Sequence, residues 1–246
     1  AVTRAKDRLA DREYHEALQF LQTILDRDED SFLERTAEGR DQLGLKSTVR
    51  KMIGDLPPDG VDAYELLQGP TARRQLEAAL KAGDRDGVAK VVRQYFHTTA
   101  GYEATFVLAQ MEADQSHRLA AAQLYQELID SPRAAAKFEP QLSVIAGINQ
   151  LAAGQPEAAT TLIKNLIEQR PASEVTLSGK SFPLPTGSAD LLAWLRNLVG
   201  ELKTAAPSWV ATQIRPARSR SRDMTEFCGR PSWLVVTRKN GSAGSK

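Results

Sequence analysis

The stretch Gly83-Asp-Arg-Asp-Gly-Val-Ala-Lys-Val-Val-Arg-Gln-Tyr95 carries the pattern that decides the fold. A glycine and polar turn leads to a β-branched residue, Val88, which is followed four and seven positions later by Val92 and Tyr95. Residues at these steps share one face of an α-helix. The stretch therefore predicts the second helix of an antiparallel hairpin, with its apolar face packed against the first helix.

Three further segments repeat this pattern of a small residue followed by two bulky ones. They are Ala17/Leu21/Ile24, Ala121/Tyr125/Leu128 and Ala159/Ile163/Leu166. The spacing from Ala121 to Ala159 is close to the period of roughly 34–40 residues that tetratricopeptide-like helix hairpins show. Because one hairpin cannot bury its second apolar face, hairpins stack.

The repeat predicts an all-α fold, a right-handed stack of antiparallel helix hairpins in a tetratricopeptide-like solenoid. Residues 174–185 interrupt it and predict one small hairpin or extended loop, with a last helix near residues 188–204. The consensus Trp-x2-Leu-Gly-x2-Tyr of tetratricopeptide repeats is absent. An irregular helical bundle is the alternative.

Prolines and capping residues predict the helix ends. The run Leu56-Pro-Pro-Asp-Gly60 predicts a loop, and Gly69-Pro-Thr71 predicts that one helix stops and a new one begins with Thr71 as its N-cap. Thr98 or Thr99 is expected to cap a later helix, with Glu103 placed to complete a capping box behind Thr99 or Ala100.

Composition narrows the function classes. The chain has 246 residues, of which 41% are hydrophobic and 26% charged, as is usual for a globular protein. Its one cysteine, Cys228, excludes an intrachain disulfide framework and a Cys-rich zinc site. The three histidines form no HxxxH or HExxH pair. No apolar stretch approaches the roughly 20 residues that span a bilayer.

The net charge of +1 hides an asymmetry between the body and the C-terminal end. Residues 215–246 hold eight Lys or Arg residues against two acidic ones and carry +6, whereas residues 1–214 carry −5. A nucleic-acid or membrane-surface arm is one interpretation of the basic end; a linker or disordered tail is the favoured one. We therefore predict a helical-repeat domain over 1–210 and a basic disordered tail, or the truncated start of a following domain, over 211–246.

Several features resemble functional motifs but are better explained as structure. His97 lies at a helix end, where a histidine interacts with the helix dipole and the last carbonyls. Residues 83–87 lack the later acidic ligand of a calcium loop. The others are the acidic run 26–30, the run 69–74 without a phosphate-loop lysine, Lys180 in a turn, Trp194, Trp209 and Cys228. We predict no catalytic, cofactor-binding or metal-ligating residues, and a protein that is not an enzyme.

Three stretches together resemble a known family. They are Ala17-Leu-Gln-Phe-Leu-Gln-Thr-Ile-Leu25, the run from Leu56-Pro-Pro-Asp-Gly to Arg-Arg-Gln-Leu76, and Val92-Arg-Gln-Tyr-Phe-His-Thr-Thr-Ala-Gly-Tyr-Glu-Ala104. These are similar to the N-terminal helical region of bacterial proteins with PQQ-like β-propeller repeats, the BamB-like proteins. The resemblance covers about residues 8–210 and implies a tetratricopeptide-like region that precedes a propeller, in the periplasm or cell envelope of a bacterium.

The propeller itself is not in this sequence. Met224 and Cys228 stand where the resemblance leads us to expect a tryptophan and an arginine. Truncation, a shifted reading frame and a divergent tail each explain that departure. Whether a leader precedes Ala1 stays open as well.

The leading hypothesis is a non-enzymatic helical-repeat scaffold that binds another protein or a downstream β-propeller domain. It implies no cofactor and no small-molecule substrate. One alternative is an accessory region of a PQQ-type propeller enzyme whose catalytic domain is absent here. The other is nucleic-acid binding through the basic tail, which the sequence does not favour.

Overall fold

The computed structural model describes residues 5, 7–9, 11–27, 29–30, 44–171, 173–177, 179–186 and 190–205. Over these residues the chain is mostly helical with a small two-stranded sheet, which confirms the coarse fold prediction. The basic tail, Trp209 and Cys228 lie outside the described residues, as does the start of the helix that we predicted near residue 188.

The chain divides into two compact units, residues 1–142 and 143–246. The first contains α1 (Tyr14–Leu25), α2 (Leu45–Gly54), α3 (Pro58–Ala82), α4 (Arg85–Tyr95), α5 (Thr99–Asp114), α6 (Arg118–Ile129) and α7 (Pro132–Phe138). Helix α8 (Gln141–Ala152) contains the boundary. The second unit continues with α9 (Pro156–Gln169), β1 (Glu174–Leu177), β2 (Lys180–Pro183) and α10 (Leu191–Ala205).

Four turns before a helix share one backbone conformation. Each contains a residue with positive φ, and the N–H of the following residue bonds to the carbonyl five positions before it, which is the Schellman arrangement. The positive-φ residues are Arg12 (62°), Gly83 (66°), Ser116 (67°) and Gly154 (80°). The bonds run from Glu13 to Arg8, Asp84 to Ala79, His117 to Glu112 and Gln155 to Gln150, each with an N···O distance of 2.9 Å.

The predicted pattern follows each turn at a constant distance. Five residues after each positive-φ residue comes the small or β-branched residue, at Ala17, Val88, Ala121 and Ala159. All twelve residues of the pattern are buried, with at most 5% of their surface exposed. The structure therefore confirms these positions as core.

Helix α2 carries a fifth copy of the pattern, which was not predicted from the sequence. Val49 and Ile53 are fully buried and pack with the core of α1, and Leu56 follows half-buried in the loop after α2. The copy was hard to recognise because its third position lies outside the helix, next to Pro57 and Pro58.

A buried polar network joins α1, α3 and α4. The hydroxyl of Tyr64 donates to Gln22 Oε1 over 2.8 Å, and the Gln22 amide donates to Asp26 Oδ1 over 2.8 Å. Gln94 Nε2 donates to the carbonyl of Asp26 over 3.4 Å. These polar groups therefore keep hydrogen-bond partners where they are removed from water.

The predicted break at Gly69-Pro70-Thr71 is wrong, since α3 runs without interruption from Pro58 to Ala82. Pro70 lacks the N–H that would bond to the carbonyl of Leu66. Both residues are exposed, Leu66 to 79%, so water can satisfy that carbonyl on the outer side of the helix.

Other helix ends were predicted in part. Thr98 is the N-cap of α5 and accepts from the N–H of Gly101, as expected. The capping box is wrong, because Glu103 pairs with Arg73 and Lys137 instead. The short helix α7 was not predicted from the sequence; Pro132 is its first residue.

The predicted small hairpin is confirmed. Strands β1 and β2 are antiparallel, with Val175 opposite Phe182 and Leu177 opposite Lys180. Val175 and Leu177 face inward and join the core of α8, α9 and α10, in which Ile163 and Leu195 are fully buried. The hairpin thus covers the apolar side of the last helices of the second unit.

Candidate functional site

A cleft of about 700 Å³ opens on the first unit. It lies where α2, α4 and α6 end and where α3, α5 and α7 begin, because each helix of the array turns back at the same level. Apolar groups supply much of its lining, namely Leu56, Val61, Phe96, Tyr102 and the rings of Pro58 and Pro132. A concave, mostly apolar cavity of this size with a few polar groups is typical of a ligand site.

Arg50 crosses one side of the cleft and connects three helices. Its guanidinium carbon lies 3.9 Å from the centroid of the Phe96 ring, and its Nη2 lies 2.8 Å from Glu127 Oε2. A guanidinium over an aromatic face is attracted by the ring quadrupole. These two contacts hold α2 against the ends of α4 and α6.

Arg133 borders the opposite side. Its Nη1 lies 2.9 Å from Asp62 Oδ1, and its Nη2 donates to the carbonyl of Pro58 over 3.2 Å. Asp130, also in the lining, accepts from the Gln126 amide over 2.8 Å. Each cleft arginine is thus paired with a carboxylate of the protein.

The charges of the cleft balance. Its lining holds three cations, Arg50, Lys51 and Arg133, and three anions, Asp55, Glu127 and Asp130. A wall with equal numbers of both signs favours neither an anionic nor a cationic ligand as a whole.

His97 lines the cleft beside an aromatic residue. Its ring meets the ring of Phe96 edge to face, with centroids 4.9 Å apart. It also packs against Gly54, where an added Cβ would lie 2.7 Å from the imidazole Cε1. Glycine at position 54 therefore makes room for the imidazole at the end of α2.

The surroundings of His97 keep its imidazole neutral at pH 7. Burial, and after it the nearby Arg50 cation, lower the pKa of His97 to about 4. A hydrogen bond to the main chain of Arg50 and the negative charge of Asp55 raise the pKa of His97, but by less than burial and the Arg50 cation lower it. A neutral imidazole that donates to a carbonyl has its other ring nitrogen as an acceptor.

His97 contacts a different helix from the one that we predicted. We expected an interaction with the last carbonyls of its own helix, α4. The ring instead contacts α2, through Gly54 and the main chain of Arg50. Such a contact joins residues far apart in the sequence, so helix-end reasoning could not find it.

Tyr102 completes the aromatic wall of the cleft. Its ring meets Phe96 edge to face, with centroids 5.5 Å apart, and its hydroxyl is hydrogen-bonded with Ser131. Tyr102 was not singled out from the sequence, because nothing in its local pattern distinguishes it from a core residue.

The remaining candidates have structural roles in the described part of the chain. Asp84 caps α4 by accepting from Gly87 N over 3.0 Å, so residues 83–87 form the predicted turn. Asp30, from the acidic run, accepts from Lys46 N over 3.0 Å at the start of α2. Lys180 opens β2 and is exposed, and Trp194 packs against the core of the second unit.

Two carboxylates outside the cleft each contact two basic side chains. Burial would raise the pKa of Glu103, but its bonds with Arg73 and Lys137 hold that pKa below its usual range. The hydrogen bond from Arg85 lowers the pKa of Glu112, and His117 Nδ1 lies 2.9 Å from the same carboxylate. The Glu103 cluster ties α5 to α3 and α7, and the Glu112 cluster ties α5 to α4 and to the start of α6.

The described residues include no group of three or more His, Cys, Asp or Glu side chains placed to hold a metal ion. Within the same part of the chain, every helix is too short or too polar to cross a membrane. No protein-family model, curated protein or solved structure matches the chain. The BamB-like resemblance stays a prediction.

Proposed function

We propose that the chain is a non-enzymatic scaffold whose helix hairpins stack in a tetratricopeptide-like solenoid and hold another protein. The observation that carries this proposal is the fourfold recurrence of one turn, with buried residues at the same distances after each turn. Repeated hairpins give an extended surface that serves binding rather than a single reaction centre.

The cleft is the part of that surface that we assign to the partner. It joins the C-terminal ends of the alternate helices α2, α4 and α6, and its walls are set by Arg50, Phe96 and His97. Since both arginines are paired with carboxylates of the protein, the wall is ordered before a partner arrives. Such pre-organisation lowers the entropic cost of binding.

The resemblance to BamB-like proteins makes a β-propeller domain the first partner to test. A photoreactive amino acid introduced at Lys51, an exposed residue of the cleft, should form a crosslink with a propeller domain supplied in trans. The matched control carries the same photoreactive group at Lys81, which is exposed near the end of α3 and outside the cleft lining.

A discrete crosslink from position 51 that is absent from position 81 would support the scaffold function and the cleft as its binding site. If neither position crosslinks to a propeller or to any other protein in the producing cell, the proposed function is wrong. Equal crosslinking from both positions would reject the cleft as the site.

A further inference from the structure

Helix α3 passes through two hydrophobic cores, and the change from one to the other falls at Gly69 and Pro70. The first half of α3 packs with buried residues of α1 and α2 through Ala63, Tyr64 and Leu67. The second half packs with buried residues of α4 and α5 through Ala72, Leu76 and Ala79. Each half of the helix is therefore fixed to a different group of neighbours.

The same point of α3 lacks a helical hydrogen bond. Pro70 has no N–H to donate to the carbonyl of Leu66, and Gly69 beside it is the other residue type that weakens a helix interior. Sharp bends in helices occur mainly at proline. Below, the N-terminal part means α1, α2 and residues 58–68, and the C-terminal part means residues 71–82 with α4 to α7. The weakest point of α3 thus lies between these two parts.

The buried polar network has short bonds within the N-terminal part and long ones to the C-terminal part. The bonds from Tyr64 to Gln22 and from Gln22 to Asp26 are both 2.8 Å long. Tyr64 and Gln22 reach the carbonyl of Gln94 only over 3.3 Å. The Gln94 amide reaches the carbonyl of Asp26 over 3.4 Å. Distances beyond about 3.2 Å exceed the usual range of hydrogen bonds, so the bonds between the two parts are the weak ones.

One short bond between the two parts lies close to the weak point of α3. Glu65 Oε2 accepts from the N–H of Thr99, at the start of α5, over 2.7 Å. Pro58, the first residue of α3, lies about 18 Å from Pro70 along the helix axis. A bend of about 20° at Pro70 would displace Pro58 by about 6 Å. It would displace Glu65 less than half as far, so Glu65 lies near the pivot.

The cleft lies between the two parts, at the end of α3 that such a bend moves most. Its lining takes α2 and the start of α3 from the N-terminal part and the ends or beginnings of α4 to α7 from the C-terminal part. Two ion pairs connect the parts here, Arg50 with Glu127 and Arg133 with Asp62, with 28–70% of their side-chain surface exposed. Exposed ion pairs are weak and are screened by salt.

We propose that α3 is a hinge at Gly69 and Pro70, and that bending there moves the N-terminal part away from the C-terminal part and widens the cleft. The closed arrangement, with both arginines paired, is the more populated one. Opening admits a segment of a partner, and closure then holds that segment between the two walls. This inference goes beyond the proposed scaffold function, because the hinge acts whichever partner the cleft binds.

The distance between two spin labels on the full chain tests the hinge. Cys228→Ser removes the native thiol, and labels are attached at Lys51→Cys on α2 and Ala136→Cys on α7, two exposed positions in different parts. Double electron–electron resonance should show two distances. The longer one should gain population at least about twofold in about 1 M salt. The control pair, Lys90→Cys with Ala136→Cys, lies within the C-terminal part and should keep a single distance.

Variants separate the hinge from the ion pairs. Pro70→Ala restores the helical N–H and should lower the population of the longer distance at least about twofold. Pro58→Ala, which gains no helical bond at the first position of α3, should leave it unchanged. Asp62→Ala combined with Glu127→Ala removes both ion pairs and should raise it at least about twofold. Circular dichroism checks folding, and the salt dependence of the parent chain decides the matter if a variant does not fold.

The proposal is overturned if the labels at positions 51 and 136 show one distance at low and at high salt. A second distance that Pro70→Ala leaves unchanged would place the bend elsewhere and overturn it too, as would an equal second distance in the control pair. An unchanged population after removal of both ion pairs would show that they do not hold the cleft closed. The crosslink from position 51 tests the scaffold function separately, since a rigid chain can give it and a hinged chain can lack it.

Discussion

Gly101 lies in the first turn of α5, where the chain passes closest to the end of α4. A Cβ at this position would lie 1.9 Å from the carbonyl oxygen of Tyr95 and 2.7 Å from that of Phe96. Both atoms belong to the main chain, so they cannot move aside as the end of a flexible side chain can. The close approach of α4 and α5 therefore requires glycine.

We predict that Gly101→Ala lowers the free energy of unfolding by at least about 3 kcal/mol, the upper range for overpacking a core. Urea unfolding followed by circular dichroism measures the change. Gly200→Ala is the matched control, because an added Cβ there meets no atom within 4 Å and lies in a helix. That variant should be neutral or stabilised by up to about 1 kcal/mol, and similar losses in both variants would contradict the prediction.

His97 makes stability depend on pH. Its pKa is about 4 in the folded chain and about 6.5 when unfolded. The unfolded state therefore binds the proton more readily, so the contribution of His97 is fully present above pH 6.5 and is lost as pH falls toward 4. The full loss is on the order of 3 kcal/mol.

Unfolding in urea between pH 7 and pH 5 should show a decline that His97→Gln largely removes. This window is informative because Glu103 and Glu112, whose pKa values are lowered in the fold, contribute mainly at lower pH. A decline of the same slope in wild type and variant would show that His97 is not its source.

Helix α3 illustrates what an element can tolerate on its exposed side. Pro70 interrupts the hydrogen bonds of the helix without ending it, because the unpaired carbonyl of Leu66 lies where water reaches it. Pro70 nonetheless lowers the stability of the helix, because it lacks the N–H with which alanine would form a helical hydrogen bond.

Pro70→Ala should therefore raise the free energy of unfolding by about 1–3 kcal/mol, reduced by the greater entropy of the unfolded chain. Thermal unfolding measures the gain. Pro58→Ala is the control, because Pro58 opens α3 and gives up no helical bond there. If Pro70→Ala is no more stable than Pro58→Ala, hydration of the Leu66 carbonyl compensates fully.

Among the helices, the sequence predicted the buried positions better than it predicted where each helix begins and ends. Apolar spacing found the twelve buried residues of the four repeats, because three- and four-residue steps depend only on helix geometry. It failed at Pro70, where exposure decides whether a helix continues, and at Val49 and Ile53, whose pattern runs into a loop. The cleft could not be predicted, because its lining comes from residues 47–133 and depends on how six helices end and begin.

Each of the two units contains a core of its own. Val88 and Leu76 are fully buried in the core of α3, α4 and α5, whereas Leu195 is fully buried in that of the second unit. In repeat proteins stability is carried mainly by contacts between neighbouring hairpins. A destabilising substitution should therefore lower stability mainly in the hairpins next to the substituted residue.

We predict that Leu195→Ala, which costs about 2–5 kcal/mol in a tightly packed core, lowers amide hydrogen-exchange protection most in α9 and α10. Helices α4 and α5 should keep most of theirs, and Leu76→Ala should show the opposite distribution. Hydrogen exchange with mass spectrometry measures both variants. An equal loss of protection across the chain in either variant would mean that the molecule unfolds as a single cooperative whole.

The shared backbone of the four turns has a consequence for redesign. Residues 84–116 run from just after one positive-φ residue through the next, and so contain one full period of the array. A second copy of this segment inserted after Ser116 would join turn to turn, because the two turn residues have nearly equal φ, 66° at Gly83 and 67° at Ser116. The protein could thus be lengthened by whole repeat units, and each new junction would use a turn that the native chain already contains.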